Sequence, residues 1–594
     1  MDRIRTRWAN QIDKNNPLSE YPRPQLERQQ WTSLNGLWEY KITGLNSELP
    51  DNFDGQIIVP FAVESELSGV QRALLENELL WYRKKFDLNS EYVGKRVILH
   101  FGAVDWQCSV YINGKFIGEH IGGYCPFSFD ITDYIAQKDN EIIVRVFDPT
   151  DKGWQQRGKQ VLSTHGFWYT ATSGIWQTVW MEAVDSCRIN KIKLLPDIDN
   201  SVINIETELT CTDDVSLKAC VYDGQDEIFC GEISLSSTLF IPNQKLWSPE
   251  TPFLYDIVLE VYKDNVLCDK VKSYFGMRKF SIENDSQGIP RLYLNNEPYF
   301  QRGLLDQGYY CESVLTPQCD EAMINDIIVC KKLGFNMLRK HIKVEPLRWY
   351  YHCDRLGMIV WQDMISGGAW IGNLLGGIFP HFNIKIKDNK YKWFSREKEE
   401  ARNNYKCELN EMVDTLYNCV SIGCWVPFNE GWGQFDAKQI ASELKKKDPS
   451  RIIDHASGWY DQGGCDLKSV HKYVFSVHMP KTNGRPFVLS EFGGYSQTID
   501  GHVWNKRKSF GYKMYLSKKS LTKAYKKLMQ KQIIPLIEKG LSAFIYTQVS
   551  DVEFEVNGIM TYDREIIKID EKTIYDLNKE CILGSQKIID YNID

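Results

Sequence analysis

Two apolar runs of this chain end in a glutamate: SIGCWVPFNE closes with Asn429 and Glu430, and PFVLSEFGG carries Glu491. Hydrolysis of an acetal needs such a pair, one carboxylic acid to protonate the leaving oxygen and one carboxylate to attack or stabilise the anomeric carbon. A lone glutamate at a strand end usually just caps it; two of them, each in an aromatic and glycine-rich setting, point to chemistry. Asp306, Trp361, Asp363, His455 and Tyr546 also end apolar runs, part of them expected in the same pocket and the rest as strand caps or core. His471 and Tyr473, in SVHKY, sit where a side chain could reach toward Glu491. Trp432 and Phe435, just beyond Glu430, could form a platform for a sugar face. Upstream, HGFWYTATSG could extend a loop carrying His165 or Trp168 into the site, with packing inside its own sandwich the favoured reading for Trp168.

These residues need a scaffold that gathers strand ends. From residue 280 onward strand-like runs alternate with helical ones: YFQRGLL, a helix near 319–333, FNMLRKH, a helix near 345–356, MIVWQDM, then an insertion over 364–410 and a helix near 408–418. SIGCWVPFNE, a helix near 437–446, RIIDHAS, SVHKYVF, PFVLSEF, a Lys-rich helix near 516–538 and SAFIYTQV follow. Eight strands alternating with helices predict a (β/α)8 TIM barrel over 280–594, whose strand ends share one mouth, with Glu430 on the fourth strand and Glu491 on the seventh. Residues 1–185 hold short β-branched and aromatic runs such as RVILHFG and IIVRVFD, broken by turns such as Asn113-Gly114, and read as a β-sandwich. Residues 186–279 have the length and strand spacing of a seven-strand, immunoglobulin-like sandwich. The fold class is therefore multidomain, β plus α/β.

The 594 residues exclude a single domain, and a net charge of −7 lacks the electrostatic pull toward phosphate that nucleic-acid binding needs. No apolar window is long enough for a membrane span and no apolar segment follows the basic N-terminus, so neither a membrane partner nor secretion is expected. The 16 cysteines contain no Cys-x-x-Cys pair and read as reduced, mostly buried thiols of a cytoplasmic protein. The stretch from Asn505 to Gln532 holds ten Lys or Arg and no acid. It reads as a solvated outer helix of the barrel, with contact to a uronate or phosphate from its first turn as the alternative.

The sequence resembles family 2 glycoside hydrolases, the group of β-galactosidases, β-glucuronidases and β-mannosidases, from YPRPQLERQQWTSLNGLWEY through GFWYTATSGIWQTVWME to YTQVSDVEFEVNG. The resemblance implies a jelly-roll sugar-binding domain, an immunoglobulin-like domain and a catalytic barrel. YNCVSIGCWVPFNEGW is similar to the family's acid/base signature, with Asn418, Trp425 and Asn429-Glu430 in place. By that matching Glu430 is the acid/base, Glu491 the nucleophile, and Asn429 a hydrogen-bond partner of the sugar 2-hydroxyl. FNMLRKH supplies Asn336 and Arg339, and DRLGMIVW supplies Asp354 and Gly357, but the usual His-Tyr-Pro after the arginine is replaced by His341-Ile-Lys. Arg339 is expected to hold the nucleophile by a charge-assisted bond and keep its pKa low. The departure at His341 leaves open how the non-reducing sugar is gripped. The Glu-x-His element by which some relatives hold magnesium is missing, so neither a metal nor a cofactor is expected.

The implied activity is a retaining exo-β-glycosidase acting on a small oligosaccharide or glycoside, β-galactosidase-like. A β-glucuronidase is the alternative; the family's Asn-x-Lys uronate clamp after the nucleophile is missing, and of Lys340, Lys343, Lys385, Lys406 and Lys506 none stands in its place. The alternative of another class is a non-catalytic carbohydrate-binding protein. Relatives often form homo-oligomers, but no interface is readable in this chain.

Overall fold

A computed structural model describes residues 4–586 except 212, 373, 383 and 585; the outermost ends of the 1–185 and 280–594 spans lie outside the described residues. The N-terminal unit is a sandwich of a six-stranded and a four-stranded antiparallel sheet. Glu78–Phe86 and Asn140–Phe147 pair centrally in the larger sheet, and Arg96–Phe101 and Val179–Val184 in the facing one. Strand alternation sends Leu80, Tyr82, Val97, Leu99, Val144 and Val146 into one shared core.

Seven strands between Ile189 and Phe275 form the second sandwich, three in one sheet and four in the other. Every second residue of Tyr255–Lys263 is buried, so Ile257, Leu259 and Val261 fill its centre. Here the expectation of reduced thiols needs correction, because Cys187 pairs with Cys211 and Cys220 with Cys230. Cys220 and Cys230 face each other across two antiparallel strands, a proximity set by register rather than by any sequence spacing. Twelve cysteines are free. Arg28 locks the two sandwiches together, its guanidinium bonding Asp269 at 2.9 and 3.0 Å, Glu182 at 3.1 Å and the Ile189 carbonyl at 2.6 Å.

A small sheet beginning at Phe280 precedes the barrel. The eight barrel strands are Gln301–Asp306, Met337–Lys340, Ile359–Asp363, Ile422–Val426, Ile452–Ile453, Lys468–Lys472, Phe487–Gly493 and Leu541–Thr547. They pair in parallel in the order fifth to first, then eighth, seventh, sixth. Between the fifth and sixth strands Ser457 and Ser469 touch through their hydroxyls at 3.4 Å. Asn418 of the expected signature serves assembly: its amide pairs with the backbone of Leu194 and Ile192 at 2.9 Å each, joining the barrel to the second sandwich.

The insertion folds into short helical turns from Leu374 to Phe394 and then a long helix, Glu399–Leu416. The basic stretch is only partly the expected solvated helix. Residues 505–512 are loop, and the helix starts at Lys518, where Ser517 and Ser520 cap each other reciprocally. Along it Leu521, Tyr525 and Leu528 are buried while Lys518, Lys519, Lys523, Lys526 and Lys527 face outward. No helix among the described residues is long and apolar enough to cross a membrane.

Candidate active site

The barrel mouth brings Glu430 and Glu491 together with His471 between them. A ligating atom from each of the three lies within 4.8 Å of the other two. His471 Nδ1 is 2.8 Å from Glu430 Oε1, and Nε2 is 3.7 Å from Glu491 Oε1 and 3.1 Å from Ser457 Oγ. Gly458 lets the imidazole sit there: its φ is +82°, and a Cβ would fall 2.4 Å from the ring. Glu430 itself has φ +51°, a conformation costly for a non-glycine residue and concentrated at functional sites.

The two carboxyls have opposite environments. Burial pushes the Glu430 pKa up, with the negative charge of Glu491 adding to it, against the hydrogen bond from His471. Burial also works on Glu491, but His471, Arg339, His341 and the Tyr473 hydroxyl outweigh it and hold its pKa below the usual glutamate value. Arg339, fully buried, donates to Glu491 Oε1 at 3.1 Å and to the Ser490 carbonyl at 3.1 Å. Its other edge is bidentate to Asp363 at 2.9 and 3.0 Å, and Nη2 donates to Asn429 Oδ1 at 2.8 Å. That last bond turns the Asn429 amide so that Nδ2 is left to donate elsewhere. Tyr473 donates to Glu491 Oε2 and stacks on Tyr512, ring centroids 3.9 Å apart.

A cleft opens on the pair, lined by His341, Asn429, Trp432 and Tyr473 among the expected residues. Arg339, Asp363 and His471 stand directly behind this lining. Four expected contacts lie elsewhere. Asp306 is spent on Lys340 at 2.6 Å, Trp361 donates to Gln301 at 2.7 Å, and His455 approaches Asp461 at 3.3 Å. The Tyr546 hydroxyl accepts from the Tyr495 backbone at 3.2 Å. Phe435 packs on Tyr405 and Phe428, and exposed His165 folds back on the Ser163 carbonyl.

Several lining residues come from segments with no strand-end signal: Lys159, Phe167 and Trp168 of the first sandwich, Trp370 of the insertion, Tyr512 of the basic loop, and Glu555 beyond the last strand. Trp168 thus reverses expectation. It meets Trp432 edge to face at 5.1 Å and Trp370 at 5.5 Å, building an aromatic wall from three separate stretches of chain. The Tyr169 hydroxyl on Glu555 and the Thr170 amide on Glu553 at 2.8 Å clasp that loop to the barrel. Among the described residues the metal-like grouping at the mouth is the Glu430, His471, Glu491 set. The Arg339 guanidinium, 3.1 Å from Glu491, already supplies the positive charge a cation would bring and opposes one there.

The fold and this mouth define a (β/α)8 barrel that carries two β-sandwiches and holds a buried glutamate pair at its strand ends. The chain matches "Glycosyl hydrolases family 2, sugar binding domain" over residues 31–183, "Glycosyl hydrolases family 2" over 187–278, and the family's "TIM barrel domain" over 318–569. It belongs to glycosyl hydrolase family 2. A β-galactosidase of Thermoanaerobacter pseudethanolicus is 28% identical over 436 residues, 70% of this chain and 54% of the relative. A putative β-glucuronidase of Formosa agariphila is 24% identical over 473 residues, 72% of this chain and 51% of the relative. The chain thus spans about half the length of these curated relatives. Among solved structures, a β-D-glucuronidase of Dictyoglomus thermophilum superposes with TM-score 0.75 at 15% identity, covering 95% of this chain and 100% of that one. A β-galacturonidase of Eisenbergiella tayi, bound to galacturonate, gives 0.69 at 17%, covering 95% and 100%. At such identities the likeness is one of fold.

Proposed function

We propose that the protein is a retaining exo-β-glycosidase. The observation that carries this reading is the close approach of Glu430 and Glu491, with a ligating oxygen of each within 4.8 Å, and their opposed pKa shifts. Retaining pairs stand about 5–5.5 Å apart and inverting pairs about 6.5–9.5 Å, so an approach this close of two carboxylate oxygens favours the retaining class. Protonated Glu430 gives its proton to the aglycone oxygen while Glu491 attacks the anomeric carbon. Water, deprotonated by Glu430, then releases the sugar from Glu491, and two inversions give retention. Asn429 Nδ2, oriented by Arg339, is placed to donate to the sugar beside the reacting carbon. The test is proton NMR of the first-formed sugar from an aryl β-glycoside: a β-anomer is expected, and an α-anomer would overturn the reading.

On the glycone, the names of the curated relatives favour a β-galactoside. A β-uronide is the second reading, favoured by the single ammonium among the lining residues, that of Lys159.

A further inference from the structure

We propose that Lys159 receives a carboxylate of the substrate, so that the pocket selects acidic glycosides; this rests on the glycosidase reading. Lys159 lines the cleft beside Glu430 and Glu491, its ammonium 5.5 Å from the Tyr169 ring centre and 5.9 Å from that of Phe167. No carboxylate of the described residues comes within 4.0 Å of it. Each carboxylate in the cleft is already engaged: Glu430 by His471, Glu491 by Arg339 and Tyr473, and Glu555 by Tyr169 and Asn557.

Backbone contacts, not chance, put the lysine there. Gly158, at φ +60°, presses its α-carbon so close that a Cβ would lie 3.1 Å from the Ile342 carbonyl and 3.2 Å from the Tyr124 hydroxyl. The amides of Arg157 and Gly158 both donate to the Ser366 carbonyl at 3.0 Å, and the Lys159 carbonyl accepts from the Tyr169 amide at 2.9 Å. The loop that carries the ammonium is therefore fastened to the barrel directly through Ser366 on one side and, on the other, through Tyr169, whose hydroxyl bonds Glu555.

A sugar filling the cleft strips water from this ammonium. A neutral glycoside then leaves a desolvated charge with two aromatic faces and the more distant Glu430 but no ion-pair contact, whereas a carboxylate replaces the lost water by an ion pair. Exposed Arg507 and Lys508 add positive charge on the loop that also sends Tyr512 into the cleft. The lysines available from sequence alone are committed elsewhere or remote from the lining: Lys340 to Asp306 and Glu345, Lys343 to two carbonyls and Glu345, and Lys506 to Asp500.

The experiment compares 4-nitrophenyl β-galactoside with the matching β-galacturonide and β-glucuronide, and with a galactoside whose aryl aglycone carries a carboxylate. One acidic substrate is expected to exceed the neutral one at least tenfold in kcat/KM, and which one it is distinguishes a carboxylate on the glycone from one on the aglycone. In K159M the acidic-to-neutral ratio should fall at least tenfold, mainly through KM; K159R should recover part of it, and added salt should raise KM for the acidic substrate only. An unchanged ratio in K159M, or preference for the neutral galactoside in the wild type, overturns the proposal and leaves the glycosidase reading standing. Failure to cleave any of the four ends both.

Discussion

His471 reaches Glu430 across the gap between the fourth and sixth strands, Nδ1 to Oε1 at 2.8 Å, and is the strongest brake on the upward drift of the glutamate's pKa. The alkaline limb of kcat/KM reports loss of the catalytic proton. His471→Ala removes the brake, so that limb should move to higher pH. The acid limb should rise with it, because His471 also helps hold the Glu491 pKa down. A profile whose limbs stay put would mean that the histidine only packs.

Arg339 is shared by four oxygen-bearing groups, those of Asp363, Glu491, Asn429 and the Ser490 carbonyl, and its loss should be felt both in the fold and in the chemistry. Arg339→Met leaves Asp363, a carboxylate with no solvent exposure, with His341 Nδ1 at 2.8 Å but without its guanidinium, and should cost about 3–5 kcal/mol of stability, the usual penalty for halving a buried ion pair. It also frees the Glu491 pKa to rise under burial. Denaturant titration measures the first effect and an upward shift of the acid limb the second; a variant as stable as the wild type would refute the buried-pair account.

A stability prediction comes from the fifth strand. Against the burial that would lower it, Asp461 helps hold the His455 pKa up to about 9. A histidine whose folded pKa exceeds its unfolded value of about 6.5 stabilises fully below the latter, and the contribution disappears as pH rises through the former. The stability lost in His455→Ala should therefore be larger at pH 6 than above pH about 9, where only the packing loss of the buried ring remains, as followed by urea unfolding at several pH values.

Much of the chain was legible because local pattern and tertiary role agree. Glu430 and Glu491 end apolar runs on the fourth and seventh strands, and barrel geometry alone turns them to one mouth. The same rule does not bring Trp361, His455 or Tyr546 to the cleft lining: Tyr546 packs on Phe492, the neighbour of Glu491 that faces away from the cleft, Trp361 lies two residues before Asp363 and packs in a core cluster with Leu305 and Ile359, and His455 follows the two-residue fifth strand. Lys159, Trp370 and Tyr512 were illegible for another reason. They lie on loops whose arrival at the mouth depends on contacts such as Gly158 on Ile342 and Tyr169 on Glu555, between residues hundreds of positions apart, and no spacing encodes those.

The division of labour between the glutamates is open to direct test. Glu491→Ala should abolish turnover of every substrate, because no other group is placed to make the covalent intermediate. Glu430→Ala should retain the first step on an activated aryl glycoside, whose leaving group needs no proton. Azide, which needs no general base, should then speed release and yield a β-glycosyl azide. If azide rescues Glu491→Ala to the β product instead, the roles are exchanged.

The aromatic wall predicts a different signature from the lysine beside it. Trp168 touches Trp370 and Trp432 but no catalytic carboxylate, and Arg157 lies over its ring at 5.2 Å. Trp168→Ala removes a sugar-facing surface without moving the charges, and should weaken binding of neutral and acidic glycosides alike by about 1.4 kcal/mol or more, read as a tenfold rise in KM with kcat changed less. The acidic-to-neutral ratio should hold steady in this variant while it falls in K159M. A ratio that drops equally in both would mean that the wall, by positioning the 157–169 loop, is what presents the ammonium, and a double variant no worse than either single one would establish that coupling.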